Sequence, residues 1–469
     1  MLAGDVRTPP HVELMSTIQP PRGMRDFLPE DVRRRTFVIN AIKRVYERYG
    51  FEPLETPAVE NIDTLLGKYG EEGNKLIFKI LKRGEHESTG VADLALRYDL
   101  TVPLARVVAQ YQGQLPRFFK RYQIQPVWRA DRPARGRFRE FYQCDVDALG
   151  SRSMVVEAEL CAAACEALNG LGFTDFRIRL NHRRLLAALL EQTGVAIPSH
   201  GDALVAIDKL DKIGRDGVLA ELTGRGIAPD AGERLLQLFA ATDADPLAAL
   251  ERLEAAVGSH QAGLDGLAEL REIVRLAART PAAGRIAIDV SLARGLSYYT
   301  GAIMEIAVPD LAGSLGGGGR YDNLVGMFLG KDVPACGFSL GLERILVVMT
   351  ERGMFPAGLA TAPADVLVTI WNSAASDEAL ALAHELRTAG LRVEVFPEAD
   401  KLGKQFRYAA TRAIRFVTIV GDDEQASGQV AIKDLPAATQ TVVARAEAGS
   451  WLRQRVGAHA EQVAPQQQN

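Results

Sequence analysis

Between Arg117 and Arg139 the chain carries seven arginines, one lysine and a single acid, Asp131, within a sequence of formal net charge −4. So dense a charge of one sign repels itself and must face a polyanion, an acidic partner or bulk water. The pattern inside the stretch narrows the fold. Tyr122–Trp128 (YQIQPVW) has strand character and delivers Arg129 at its end. Pro133 and Gly136 bring turn chemistry, and Arg137–Val146 returns as a second strand. Side chains alternate along a strand, which puts Phe138, Glu140 and Tyr142 on one face and Arg137, Arg139, Phe141, Gln143 and Asp145 on the other. Arginines, an aromatic ring and an amide on one hairpin face suit a nucleotide. A guanidinium holds phosphate through two parallel hydrogen bonds, and an aromatic face stacks on a purine. The same residues also suit a solvated hairpin edge that charge protects from aggregation.

At 469 residues the chain is long for one core and suggests two or three domains. No apolar run approaches the roughly 20 residues that span a bilayer. The opening residues lack the basic-then-apolar pattern of a signal peptide, so the cytoplasm is the expected location. Cys144, Cys161, Cys165 and Cys336 are too few for a disulfide framework in a chain of this size. Cys161 and Cys165 lie one helical turn apart and read as buried thiols, the seven histidines are scattered, and no metal site made of protein ligands alone is expected. With a pI near 6.1, any nucleic acid must be held by local patches.

Residues 1–19 read as a flexible tail. Glu30–Tyr49 follows as an amphipathic helix with Phe37, Val38, Ala41, Ile42, Val45, Tyr46 and Tyr49 on one stripe, stopped by Gly50. Asp99, Leu100 and Thr101 follow a short strand, Leu94–Tyr98; the acid and hydroxyl suit either a helix cap or an ammonium group. An alanine-rich helix, Ser151–Gly170, and a strand, Phe176–Leu180, come next. From about 184 to 280 leucines at helical spacing, broken by Gly194, Pro198, Gly224 and Pro229, predict an all-helical insertion. Strand character returns at Arg285–Val290 and Ala302–Val308 around RGLSYYTG (294–301). Four glycines at 316–319 let the backbone approach a neighbour closely or turn sharply, but no GKS or GKT makes them a P-loop. Cys336–Met349 passes from a small-residue strand into a helix carrying Glu343 and Arg344. Beyond a proline- and alanine-rich linker at 356–364, strands and helices alternate as a small α/β domain. Lys401, Lys404, Arg407, Arg412 and Arg415 form a basic segment there, an RNA-backbone patch or a solvated face. Residues 456–469 read as a disordered tail.

The stretch 117–150 resembles motif 2 of class II aminoacyl-tRNA synthetases, and its wording is similar to the histidine family of that class. RGLSYYTG, LGGGGRYDNLV (315–325) and GFSLGLERIL (337–346) strengthen the resemblance, which runs from about Pro20 to Val443 and is weakest at 186–280. It implies an α+β catalytic domain built on an antiparallel sheet at 20–360, with the insertion inside it, and an α/β anticodon-binding domain at 363–455. FEPLETPAVE (51–60) resembles motif 1, which implies a homodimer. The implied reaction ligates L-histidine to its tRNA through a histidyl-adenylate, with ATP as substrate and Mg2+ as helper.

Carried onto this chain, the resemblance makes Arg129 and Arg294 catalytic, each touching histidine and ATP. Asp99, Leu100, Thr101, Gln143, Asp147, Tyr298 and Tyr299 complete the histidine site, with Asp147 and Tyr299 at the two ring nitrogens. Arg137, Phe141 and Arg344 complete the ATP site, and Lys401, Lys404, Arg407 and Arg412 meet tRNA. Ser297 stands where the family usually has aspartate, Ala134 where the bacterial pattern commonly has glutamine, and YQCDVDALG is closer to the eukaryotic wording. Two alternatives are a non-catalytic, synthetase-like regulatory subunit of histidine biosynthesis and an RNA-binding regulator. The first would lack the RGL-x-YY arginine and the C-terminal domain, the second its active-site residues; this chain has them all.

Overall fold

The stripe after Pro29 forms a helix, Pro29–Arg48, with proline at its first turn and Glu30 and Asp31 facing the positive end of its dipole. Val38, Ala41, Ile42, Val45 and Tyr46 are buried, each aliphatic side chain contributing about 1.5–3 kcal/mol of transfer free energy where it is large. The computed structural model describes residues 18–84, 89–207, 209–240, 245–293, 298–356, 359 and 362–463. The chain divides between Met354 and Phe355 into two units.

Among its described residues the first unit contains eleven strands: β1 (Glu52–Pro53), β2 (Val59–Asn61), β3 (Lys79–Leu81), β4 (Ala92–Leu96), β5 (Phe119–Trp128), β6 (Glu140–Leu149), β7 (Arg177–His182), β8 (Ile286–Ile288), β9 (Ala302–Ala307), β10 (Ser314–Arg320) and β11 (Ala335–Gly341). Eight of them form one sheet in the order β1-β5-β6-β11-β10-β9-β7-β8, and β2-β4-β3 form a small sheet of their own. From β5 to β7 the large sheet is antiparallel, as expected, but both edges are parallel: β1 runs with β5 and β8 with β7. The parallel edge explains the helical insertion. Parallel neighbours need a long crossover, and the helices Arg183–Gln192, His200–Ile207, Leu210–Gly224, Pro229–Ala240, Pro246–Val257 and Gln261–Ala277 supply it between β7 and β8.

Register sets which side chains meet. A single row of directly paired residues crosses the sheet: Gln123, Asp145, Ser339, Gly317, Glu305 and Arg179. The row beside it runs Arg121, Asp147, Gly337, Gly319, Ile303 and Asn181. The opposite face of the β5–β6 hairpin meets the first helix, where the Tyr46 hydroxyl donates to the Cys144 carbonyl at 3.1 Å. The glycine run is therefore a strand, β10, and the close-approach reading holds for it. A Cβ on Gly318 would stand 2.1 Å from the Gly337 carbonyl oxygen, and one on Gly316 2.5 Å from that of Ser339.

The second unit is a five-stranded sheet in the order β13-β12-β14-β15-β16, formed by β12 (Val366–Val368), β13 (Val393–Val395), β14 (Phe416–Ile419), β15 (Gln429–Asp434) and β16 (Thr439–Ala444). Helices Ser376–Thr388, Leu402–Thr411, Asp422–Ser427 and Arg445–Val463 complete an α/β fold. The last helix runs to Val463, past residue 456 where composition alone predicts a disordered tail. Its buried Ala448 and Leu452 join the core that Val366, Leu382, Phe416 and Val430 form, with partly buried Val456 packed against it.

Candidate active site

The polar face of the β5–β6 hairpin looks into a cavity of about 470 Å³. Nine of the residues expected to bind histidine or ATP line it: Asp99, Thr101, Arg129, Arg137, Phe141, Gln143, Tyr298, Tyr299 and Arg344. They come from the start of the helix Thr101–Gln110, the two hairpin strands and their loop, the segment before β9, and the helix Leu342–Glu351. Asp147 lines a small adjoining void of about 20 Å³ together with Tyr299, Thr101 and Asp145. Leu100 is fully buried, and it is its carbonyl that acts, accepting from Arg121 Nη2 at 3.3 Å. Arg294 and Ser297 lie outside the described residues.

Asp99 is both a cap and a cavity residue. Its Oδ1 accepts from the Val102 amide at 3.1 Å and from the Tyr69 hydroxyl at 3.0 Å, and its Oδ2 from the Tyr298 hydroxyl at 3.2 Å. Burial pushes its carboxyl above the usual range, while these donors and Arg129 pull it back. Arg129 is aimed by its own Nε, which donates to the Tyr98 carbonyl at 3.0 Å, and its guanidinium lies 4.3 Å from the Tyr98 ring centre and 5.2 Å from that of Phe141. Arg137 pairs with Asp131 at 2.6 Å, and Arg344 donates to the Ser314 carbonyl at 2.6 Å.

The strand alternation read from the sequence needs one correction. β6 begins at Glu140 rather than Arg137, because Ala134 and Arg137 close the loop with two backbone hydrogen bonds, 3.0 and 2.9 Å. Outside the strand nothing enforces alternation, so Phe138 lines the cavity beside Arg137. Arg139 instead donates to the Asp131 carbonyl at 3.1 Å.

A second correction concerns the arginine run. Arg121 does not face solvent or a polyanion: it is fully buried, 2.7 Å from Asp147 Oδ2 and 3.9 Å from Asp145 Oδ2, with Nη1 donating to Gln123 at 3.2 Å. Tyr321 donates to Asp147 Oδ1 at 2.5 Å. Glu343, also on the cavity wall, accepts from the Tyr142 amide at 2.9 Å and pairs with buried Arg35 at 2.8 Å. Sequence reasoning missed Arg121, Asp145, Tyr69, Tyr321 and Glu343. Register signals the first two, since Arg121 pairs directly across the hairpin with Asp147, and Gln123 with Asp145; Tyr69, Tyr321 and Glu343 arrive from other segments with no local signal.

In the second unit Lys401, Lys404, Arg407 and Arg412 are exposed around the helix Leu402–Thr411. Lys404 pairs with Asp400 at 2.8 Å and Arg412 with Glu394 at 3.6 Å. All four cysteines are buried and free. Among the described residues no group of three or more His, Cys, Asp or Glu side chains could hold a metal ion, and no helix is long and apolar enough to cross a membrane.

Comparison with known proteins agrees with this geometry. Residues 23–345 match the family model described as histidyl-tRNA synthetase, and residues 365–455 match an anticodon binding domain. A Gloeobacter violaceus protein named histidine–tRNA ligase is 42% identical over 459 residues, 92% of this chain and 98% of the relative. One of the same name from Porphyromonas gingivalis is 43% identical over 449 residues, covering 90% and 98%. The crystal structure of histidyl-tRNA synthetase from Nostoc sp. PCC 7120 superposes with a TM-score of 0.78 at 32% identity, over 93% of this chain and 99% of that one. With a catalytic-domain model spanning most of its length and full-length relatives above 40% identity, the chain belongs to the histidyl-tRNA synthetase family.

Proposed function

We propose that the chain activates L-histidine with ATP and passes the histidyl group to the 3′ end of a histidine tRNA. The observation that carries this reading is the single cavity wall shared by Asp99, Arg129, Arg137, Phe141, Tyr299 and Arg344. In the first step the histidine carboxylate attacks the α-phosphorus in line, and pyrophosphate leaves. Two anions must meet while charge builds on the phosphate, so fixed cations stabilise the transition state. Arg129, already held at the Tyr98 carbonyl, takes this role together with Arg294. Arg137 and Arg344 grip the outer phosphates, and Phe141 stacks on adenine. In the second step a tRNA 3′-terminal hydroxyl attacks the activated carbonyl and AMP leaves.

Asp99, Thr101 and Gln143 receive the α-ammonium group. The buried Asp99 carboxylate, held by three donors, has its remaining attraction for a cation directed at the cavity. Asp147 and Tyr299 take the imidazole. Mg2+ needs few protein ligands when phosphate oxygens supply the rest; Glu305 and Glu343 face the cavity and fit that demand, and the ion would neutralise charge on the departing pyrophosphate. Lys401, Lys404, Arg407 and Arg412 meet the tRNA backbone. The motif 1 wording supports a homodimer, and the activity belongs in the cytoplasm.

The test is histidine-dependent ATP–pyrophosphate exchange, with Arg294→Ala as the diagnostic variant. Removing one preorganised donor costs on the order of 10²–10³ in rate, so this variant should keep its KM values within several-fold and lose most of kcat. A folded Arg294→Ala protein with near-normal exchange overturns the catalytic assignment, and a wild-type chain with no exchange overturns the reaction.

A further inference from the structure

Asp145 is 2% exposed and stands beside Asp147 on the same face of β6. Across β5 the pair shares one buried guanidinium, that of Arg121, which lies close to Asp147 and 3.9 Å from Asp145. From β11 the Ser339 hydroxyl supports Asp145. The other charged and titratable groups felt at this point are Tyr321, whose hydroxyl donates to Asp147 Oδ1, Cys336 on β11, Asp99 and Tyr299 on the cavity side, Arg97 beside Gln125 on the same face of β5, and Tyr46 and Cys144 on the opposite face. Among the described residues, two carboxylates therefore share one direct counter-charge.

Their hydrogen bonding is also incomplete. Asp145 Oδ1 and Asp147 Oδ2 are buried acceptors with no hydrogen-bond partner, the close Arg121 contact to Asp147 lying outside hydrogen-bond geometry. Both carboxyls border the small void that opens beside Tyr299 and Thr101. A buried acceptor without a donor costs about 1–3 kcal/mol, so the void is shaped for a donor-rich ligand. Neutral imidazole offers one donor and one acceptor, whereas imidazolium offers two donors and a positive charge.

We infer that Asp145 is a specificity-determining residue, and that with Asp147 it makes the pocket take the histidine ring as an imidazolium. The inference rests on the reading that Asp147 and Tyr299 flank the ring. Geometry and titration agree here, for burial pushes the Asp145 carboxyl up to about 7 and raises Asp147 as well. Near neutrality the empty pair holds a proton. On binding, the Asp145 O–H bond breaks and a ring N–H bond forms, or the ring arrives already protonated, so the complex holds one proton in either case. Between the ordinary histidine pKa of about 6.5 and that of Asp145, binding needs little net proton exchange. Above this window a proton must be taken up, and affinity falls by up to about tenfold per pH unit.

Calorimetric titration of histidine into the full chain at pH 8, in two buffers of different ionisation enthalpy, counts the protons. The wild type should take up close to one per histidine, and Asp145→Asn close to none. Triazolylalanine, whose ring is a far weaker base, should bind the wild type at least tenfold more weakly than histidine, and Asp145→Asn should narrow that gap. No proton uptake by the wild type, or identical proton counts in the two proteins, overturns the inference. Should Asp145→Asn fail to fold, the wild-type count and the analogue comparison still decide. Asp147→Ala reports on the reading beneath: unchanged histidine affinity there means that the ring lies elsewhere.

Discussion

Replacing Arg121 with methionine tests whether the buried charges beneath the cavity hold the sheet together. Methionine keeps much of the volume and the unbranched stem, so the loss is one of charge and hydrogen bonds. Four interactions disappear: the contacts at 2.7 Å to Asp147 and 3.9 Å to Asp145, and the bonds of 3.2 Å to Gln123 and 3.3 Å to the Leu100 carbonyl. Removing one partner of a buried ion pair costs about 3–5 kcal/mol, because the charge left behind has neither water nor a partner. The carboxyls can escape that cost only by protonating. Burial pushes the Asp145 carboxyl up to about 7, far above its unfolded value, so its protonated form is favoured by folding. That contribution is fully present below the unfolded pKa and is lost as pH rises through about 7. Without Arg121 the loss becomes steeper and extends to higher pH. Arg121→Met should therefore be destabilised by about 3–5 kcal/mol at pH 8 and by clearly less at pH 5.5. Urea-dependent hydrogen exchange of peptides covering 119–149 reads this region apart from the second unit. A loss under about 1 kcal/mol at pH 8, or one that does not change with pH, refutes the reasoning.

Three further outcomes follow from the geometry. Asp147→Ala should lower kcat/KM for histidine by about 2–4 kcal/mol and leave the KM for ATP unchanged in pyrophosphate exchange. A matching loss for ATP would place Asp147 against the nucleotide. Deleting residues 363–469 should spare much of the exchange activity and sharply weaken tRNA charging; a folded truncation that cannot form adenylate contradicts this division of labour. Gly318→Ala, whose Cβ would meet the Gly337 carbonyl oxygen at 2.1 Å, should lower stability by at least about 1–3 kcal/mol in a thermal melt. Wild-type stability there would mean that β10 and β11 are not so closely apposed.

Local pattern carried much of this molecule. The first helix, the hairpin, the passage from β11 into the helix bearing Arg344 and the helical insertion all follow from spacing and turn chemistry, because each is decided within a few neighbouring residues. Failures occurred where distant strands decide. Arg121 looks like its six neighbouring arginines in the sequence, and only its register opposite Asp147 buries it. Tyr69 reaches Asp99 from another segment, and nothing near either residue announces the other. Glycine is depleted in strands, so the run 316–319 alone leaves a sharp turn and a close backbone approach equally open, and only pairing with β9 and β11 decides for the second. The face assigned to Phe138 failed because alternation was extended past the end of a strand.

The glycine strand makes mutational drift at this cavity one-sided. Elsewhere on the wall a side chain can shrink or grow, and the pocket can enlarge or contract with it. Along 316–319 there is no side chain left to remove, so every substitution adds atoms, either into the cavity or against a neighbouring backbone. A lineage seeking to admit a bulkier amino acid gains no room from this strand. It must find that room among the aromatic and acidic residues opposite, the ones proposed to hold histidine.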